Sequence, residues 1–194
     1  MALLQQVLGD DWHKLPAVIQ RHYQLAAGEQ NQLSGTLAIT YPRYLFPAIW
    51  LLHLFGGLVL WRGLAVQTQV QKTQDALGVL HWQRIMTYPE GMCDYFCSQM
   101  RFVGAHELIE TVGFGFGLRL TVSVHNGGLL YRSNGHFWQC GKFCVNIPDA
   151  LLLGSATITE QALSDTEFWL DFAIKHPLWG ETYSYRGRFC YGSR

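Results

Sequence analysis

Residues 116–131 read FGLRLTVSVHNGGLLY. Phe116, Leu118, Leu120, Val122 and Val124 alternate with Arg119, Thr121, Ser123 and His125, so the apolar side chains share one face of an extended chain. Asn126-Gly127 then separates this run from another, and that dipeptide tolerates the positive φ angles of a tight hairpin turn. The same period of two returns on both sides. Leu64, Val66, Thr68 and Val70 alternate with Ala65, Gln67, Gln69 and Gln71, and Phe168, Leu170, Phe172 and Ile174 with Glu167, Asp171 and Lys175. Ser133-Asn134-Gly135 reads as the next reversal after Asn126-Gly127, and Pro148 as the start of a connection to Thr157.

The first 28 residues follow a different period. Leu3, Leu4, Val7 and Leu8 share a helical face that stops at Gly9-Asp10-Asp11. Pro16 suits a helix start, and residues 17–27 run as a helix to Gly28, with Val18, Ile19, His22 and Leu25 or Ala26 toward the core. The expected fold class is therefore α+β: N-terminal helices on a large antiparallel meander sheet, closed into a barrel or strongly curved. Closure would remove the exposed edges of so long a sheet. The chain is read as one domain over 1–194, helical over 1–28 and mainly β over 33–194, with an apolar helix near 44–60.

That apolar stretch, LFPAIWLLHLFGGLVLW over residues 45–61, is shorter than the roughly 20 residues of a spanning helix. It holds Pro47, His53 and Gly56-Gly57 and is flanked by Arg43 and Arg62. It reads as a short buried or lid-forming helix, with contact to lipid or to a partner as the alternatives.

Composition narrows the class. Of 194 residues, 49% are hydrophobic, 14% aromatic and 14% charged, which excludes a disordered chain. The formal net charge of zero removes the electrostatic footprint of a nucleic-acid binder, so no nucleic-acid partner is expected. The N-terminus lacks the basic, apolar and small-residue order of a secretion signal, and five cysteines cannot all pair, so a reducing cytoplasm is expected.

Familiar motifs fail on mechanism. Gly113-Phe114-Gly115-Phe116-Gly117 leads into a strand rather than a helix, so it reads as a bend and not a phosphate loop. His106-Glu107-Leu108-Ile109-Glu110 lacks the second histidine of a zinc-protease helix, and strand register puts His106 and Glu110 on one face and Glu107 on the other. Cys93 with Cys97 and Cys140 with Cys144 lack the tight turns of structural zinc sites. No metal and no cofactor is expected.

Polar residues on apolar registers are more telling, because a buried polar group needs a partner. Arg84 shares a face with Leu80, Trp82, Met86 and Tyr88, so its guanidinium needs an acceptor away from bulk water. Glu107, Glu110 and Glu160 are the candidates, Glu160 sharing a face with Ile158 and Ala162, and Ser98 sits beside Phe96 and Met100. Such a group is either a buried ion pair fixing sheet register or the polar floor of an apolar pocket.

Several segments together resemble a known family. Leu8-Gly9-Asp10-Asp11-Trp12-His13-Lys14-Leu15 followed by 18–22 is similar to the opening of the bacterial domain-of-unknown-function family 4166. The likeness continues through Trp82-Gln83-Arg84, Phe96-Cys97-Ser98, Glu107 with Glu110, and Gly127-Gly128-Leu129. It ends with Ile147-Pro148 and Leu151, Glu160, His176-Pro177-Leu178-Trp179-Gly180 and Tyr185-Arg186-Gly187. The resemblance implies domains that occur alone or beside NAD(P)-binding domains similar to saccharopine dehydrogenases. No dinucleotide-binding pattern lies in these residues, so it carries over no redox chemistry, and it brings no catalytic residues.

Three readings follow. In the first, the barrel binds a lipid-like or other apolar ligand with an acidic head group. Trp82, Arg84, Ser98, Glu107, Glu110 and Glu160 meet the head group, and Phe96, Phe116, Leu120, Phe168 and Phe172 line the apolar part. In the second, Glu107 or Glu160 works as acid or base on a small apolar substrate. In the third, residues 45–61 dock a partner, form a homodimer or touch a membrane peripherally.

Overall fold

The computed structural model describes residues 1–191. Helix α1 (Leu3–Leu8) buries the four apolar residues of its face and ends at Gly9, a 3-10 turn follows over Gly9–Lys14, and α2 (Ala17–Tyr23) buries Val18, Ile19 and His22. α2 stops four residues earlier than its periodicity predicts. Beyond Tyr23 the chain must turn toward the sheet, and Gly28 donates its N–H to the Gln74 carbonyl at 2.8 Å.

Eleven strands follow among the described residues: β1 (Gln30–Thr40), β2 (Gly63–Gln74), β3 (Leu80–Thr87), β4 (Cys93–Gly104), β5 (Glu107–Thr111), β6 (Phe116–His125), β7 (Gly128–Cys140), β8 (Phe143–Ile147), β9 (Ser155–Ala162), β10 (Glu167–His176) and β11 (Gly180–Tyr191). Ten of them close into an antiparallel barrel. Neighbours pair in sequence order from β1 to β7, then β7 with β9, β9 with β10, β10 with β11, and β11 with β1. β8 lies outside this ring, paired only with the far half of β7. Among the described residues every strand in the ring has a neighbour on each side, and β8 carries the open edge of the sheet.

Asn126-Gly127 makes the β6–β7 hairpin, both residues having positive φ. Ser133-Asn134-Gly135, by contrast, does not reverse the chain. β7 runs straight through it, and the pairing with β6 slips between Leu118–His136 and Leu120–Ser133. Two residues there face one, a β-bulge whose left-handed backbone falls on Gly135. The reversal comes later, around Gly141.

The barrel axis separates two ends. α1 and α2 lie at one, with the β2–β3, β4–β5, β6–β7 and β9–β10 turns. The segment between β1 and β2 lies at the other and carries α3 (Phe46–Leu54), shorter than the helix expected near 44–60. Ile49 of α3 faces inward, whereas Trp50, Leu51 and Leu54 are exposed. After the helix the segment 59–61 is pinned to the wall: the carbonyls of Val59, Leu60 and Trp61 accept from the hydroxyls of Tyr183, Tyr41 and Tyr88. Leu64, placed by its alternation on the inward face, stands exposed at the mouth, where β2 has only just begun. Among the described residues no helix is long and apolar enough to cross a membrane.

Candidate functional site

Alternation carries one residue in two from each strand into the lumen, and there the polar ones collect. On β3, β4 and β5 the cross-strand partners Trp82–Ser98, Arg84–Phe96 and Met100–Glu110 all face inward. Arg84 Nη1 donates to Ser98 Oγ at 3.0 Å, and Nη2 lies 3.6 Å from Glu110 Oε1. The guanidinium sits over the rings of Trp82 and Phe96, 4.7 and 4.9 Å from their centroids. Both partners of this ion pair are 12% exposed, so water screens it weakly, and either charge without the other would be costly.

A second group enters from below. His22 and Tyr23 at the end of α2 reach into the barrel and meet Lys72 from β2 and Glu160 from β9, all four buried. Tyr23 donates its hydroxyl to Glu160 Oε1 at 2.6 Å. Lys72 Nζ lies 2.9 Å from His22 Nδ1, also donates to the His22 carbonyl, and stands 4.9 Å from the ring centroids of both Tyr23 and Trp82. Burial holds His22 well below its ordinary range, reinforced by the charges of Lys72 and Arg84. Neutral His22 then accepts from Lys72 at Nδ1 and keeps its proton on Nε2, which faces Glu160 Oε1 at 4.0 Å. Burial also pulls Lys72 well down, against the pull of Glu160. Glu160 is pushed up to about 7 by burial, although the Tyr23 hydrogen bond, Lys72 and Arg84 all oppose the rise.

Among the described residues three buried polar atoms in this region have no hydrogen-bond partner within 3.5 Å: Trp82 Nε1, Glu160 Oε2 and Tyr131 Oη, the last beside the Tyr23 hydroxyl. All three residues line one cavity of about 50 Å³ in the lower lumen, which Phe168 and Leu170 also line. Buried polar atoms are nearly always satisfied, so three orphans around one small space set this cavity apart from the rest of the core. Above it lies a second, more apolar cavity of about 110 Å³, walled by Phe96, Phe116, Phe172 and Ile174 and roofed by Leu52 and Phe55 of the lid segment. Glu110 and Tyr185 line both cavities and stand where they adjoin. For scale, an apolar cavity of roughly 150 Å³ holds a benzene ring. The closed lumen thus has room for small groups, and a longer chain requires α3 to shift.

Of the residues singled out from sequence, the structure gathers Trp82, Arg84, Ser98, Glu110 and Glu160 in the lumen. Glu107 is elsewhere: it opens β5 on the outer face and is exposed. His106 does not share the face of Glu110, because it sits in the turn before β5 with φ 61° and bonds the Val7 carbonyl. Leu120 is buried but lines neither cavity. Sequence reasoning placed His22 toward the core without a role and passed over Lys72, Tyr23 and Tyr131. Lys72 was signalled: the inward set Val66, Thr68, Val70 continues in step to Lys72 and Gln74, both buried. Among the described residues no three His, Cys, Asp or Glu side chains converge to hold a metal ion.

A family model described as a domain of unknown function (DUF4166) matches residues 15–189, most of the chain. No curated protein and no solved structure matches it.

Proposed function

The chain belongs to the DUF4166 family, and we propose that it binds a small amphipathic acid inside the barrel, head group down and apolar part beneath the lid. The observation that carries this reading is the set of three partnerless atoms, Trp82 Nε1, Tyr131 Oη and Glu160 Oε2, around one cavity that adjoins an apolar one. An indole N–H and a phenol O–H donate, and Glu160 protonated at Oε2 would be a third donor. Three donors on residues that line one cavity, with a guanidinium nearby, suit an acceptor-only head group, a carboxylate above all.

The reading has a pH signature. A carboxylate ligand is best received by protonated Glu160, whose titration lies at about 7. Its affinity should fall by roughly tenfold from pH 6 to pH 8, following the protonated fraction of one group. Calorimetric titration with octanoate and with octanol tests it. Octanoate is expected to bind and to weaken as pH rises, octanol to bind without pH dependence, and Glu160→Gln to flatten the octanoate profile. Failure of both probes to bind at either pH would overturn the reading.

A second reading rests on the same carboxyl group: titration near neutrality suits a general acid or base. Turnover of a bound ester or alcohol with a bell-shaped pH profile, lost in Glu160→Gln, would favour it over simple binding.

A further inference from the structure

We propose that the lid end of the barrel docks peripherally onto an anionic bilayer surface. The inference does not depend on what fills the lumen.

Large exposed apolar side chains crowd this end, and they come from separate connections. Trp50, Leu51 and Leu54 project from α3, Phe114 from the β5–β6 turn, Leu151 from the β8–β9 connection and Leu178 from the β10–β11 turn. Four of the seven tryptophans, Trp50, Trp61, Trp138 and Trp179, are exposed here. α3 is apolar nearly all round, because Ile49 serves the barrel while its outer residues face away from it. At the opposite end the exposed large apolar residues are fewer, among them Leu77, Leu163 and the pair Phe102-Val103, with Asp75 and Asp165 beside the first two.

Charge divides along the same axis. Arg43 and Arg62 flank the lid, and Lys142 sits in the β7–β8 turn; all three are exposed and none has a carboxylate within 4 Å among the described residues. Carboxylates at this end are mostly engaged: Asp149 by His136 and Ser155, Glu181 by Arg186, leaving Glu90. The other end carries Asp10, Glu29, Glu107 and Asp165 together with Lys14, Arg21 and Arg101, all exposed. Exposed cations therefore outnumber exposed anions beside the apolar rim but not at the far end, although the chain as a whole has zero net charge.

A protein partner recognises a continuous surface of complementary shape. Side chains projecting from four or more separate connections around a barrel mouth instead suit a soft planar phase that admits each of them singly. Tryptophans with flanking arginines and lysine suit the headgroup region of that phase, and the cations favour anionic lipid.

The test is co-sedimentation of the full chain with vesicles of phosphatidylcholine containing 30% phosphatidylserine, and with phosphatidylcholine alone. We expect binding to the anionic vesicles that is at least tenfold weaker on the neutral ones. Two variants, Leu51→Ser/Leu54→Ser and Arg43→Glu/Lys142→Glu, should each lower it about tenfold. All four positions are exposed, so circular dichroism and the urea midpoint should stay at wild type. Absence of the chain from the anionic pellet overturns the proposal. So does a dimer, measured by light scattering, that Leu51→Ser/Leu54→Ser dissolves while vesicle binding is missing, since a second copy would then cover the face.

Discussion

Replacing Glu160 by glutamine removes a charge from the lumen while keeping a carbonyl oxygen for the Tyr23 hydroxyl. Burial lifts this carboxyl from 4.5 to about 7, so the folded chain holds the proton more tightly than the unfolded chain does. The sign follows from linkage: the contribution of Glu160 is full below about pH 4.5, declines between 4.5 and 7, and is flat above. A difference of about 2.5 pH units corresponds to about 3 kcal/mol at 25 °C. Lys72 and His22 are held below their ordinary ranges and titrate in the opposite sense; His22 is common to both proteins, whereas Lys72 is coupled to Glu160, so the comparison reads the Glu160–Lys72 pair. Urea unfolding of both proteins at half-unit steps from pH 5 to 9 measures the difference. Between pH 5, where part of the difference is already gone, and pH 7.5 the wild type should lose about 2.5 kcal/mol relative to Glu160→Gln, with equal urea slopes. Parallel stability curves across that range would refute the reasoning, because Glu160 would then be ionised throughout and compensated by Lys72.

Three further perturbations probe the lumen and its lid. Arg84→Met leaves Glu110 as a poorly screened carboxylate and should cost about 3 kcal/mol, whereas Arg84→Met/Glu110→Leu should recover most of it; additive losses in a double-mutant cycle would deny the coupling. In Gly113→Val the new Cβ would lie 2.8 Å from the Phe55 carbonyl, so the lid tip must move outward. Faster protease cleavage within 50–57 is expected, at a stability cost of about 1–2 kcal/mol, and an unchanged cleavage rate would show that the lid does not need this contact. Tyr183→Phe strands the buried Val59 carbonyl, and hydrogen exchange over 58–61 should speed up with a loss of about 1–3 kcal/mol; unaltered exchange would show that the other two tyrosines suffice.

Much of the barrel was readable because alternation is a local property. It put Arg84 inward through Leu80, Trp82 and Met86 and pointed the β10 residues Phe168 and Phe172 the same way. What alternation lacks is adjacency across strands. It could not choose among Glu107, Glu110 and Glu160 as the partner of Arg84, a matter settled by the Met100–Glu110 pairing one strand over. Lys72 was masked by its own chemistry, since a lysine closing a run of glutamines reads as solvent-facing. His22 and Tyr23 belong to a helix whose destination inside the barrel no local period announces. The error at Ser133-Asn134-Gly135 has a similar cause. An asparagine–glycine pair supplies a left-handed backbone to hairpins and bulges alike, and only the pairing beyond it tells which has formed.

The β1–β11 seam sets a condition on how the molecule comes to exist. Leu33 pairs with Tyr191, 158 residues away, and the eight paired positions between these strands complete the ring. Until β11 has left the ribosome, β1 and β10 are two open edges in a nascent chain whose other nine ring strands can already be joined. Contacts of such long range are slow to form, and exposed edges invite pairing with neighbouring chains in the meantime. A stop codon or a slow stretch of message ahead of residue 180 would therefore do more than remove one strand: it would leave a sticky, unclosed sheet for chaperones to hold.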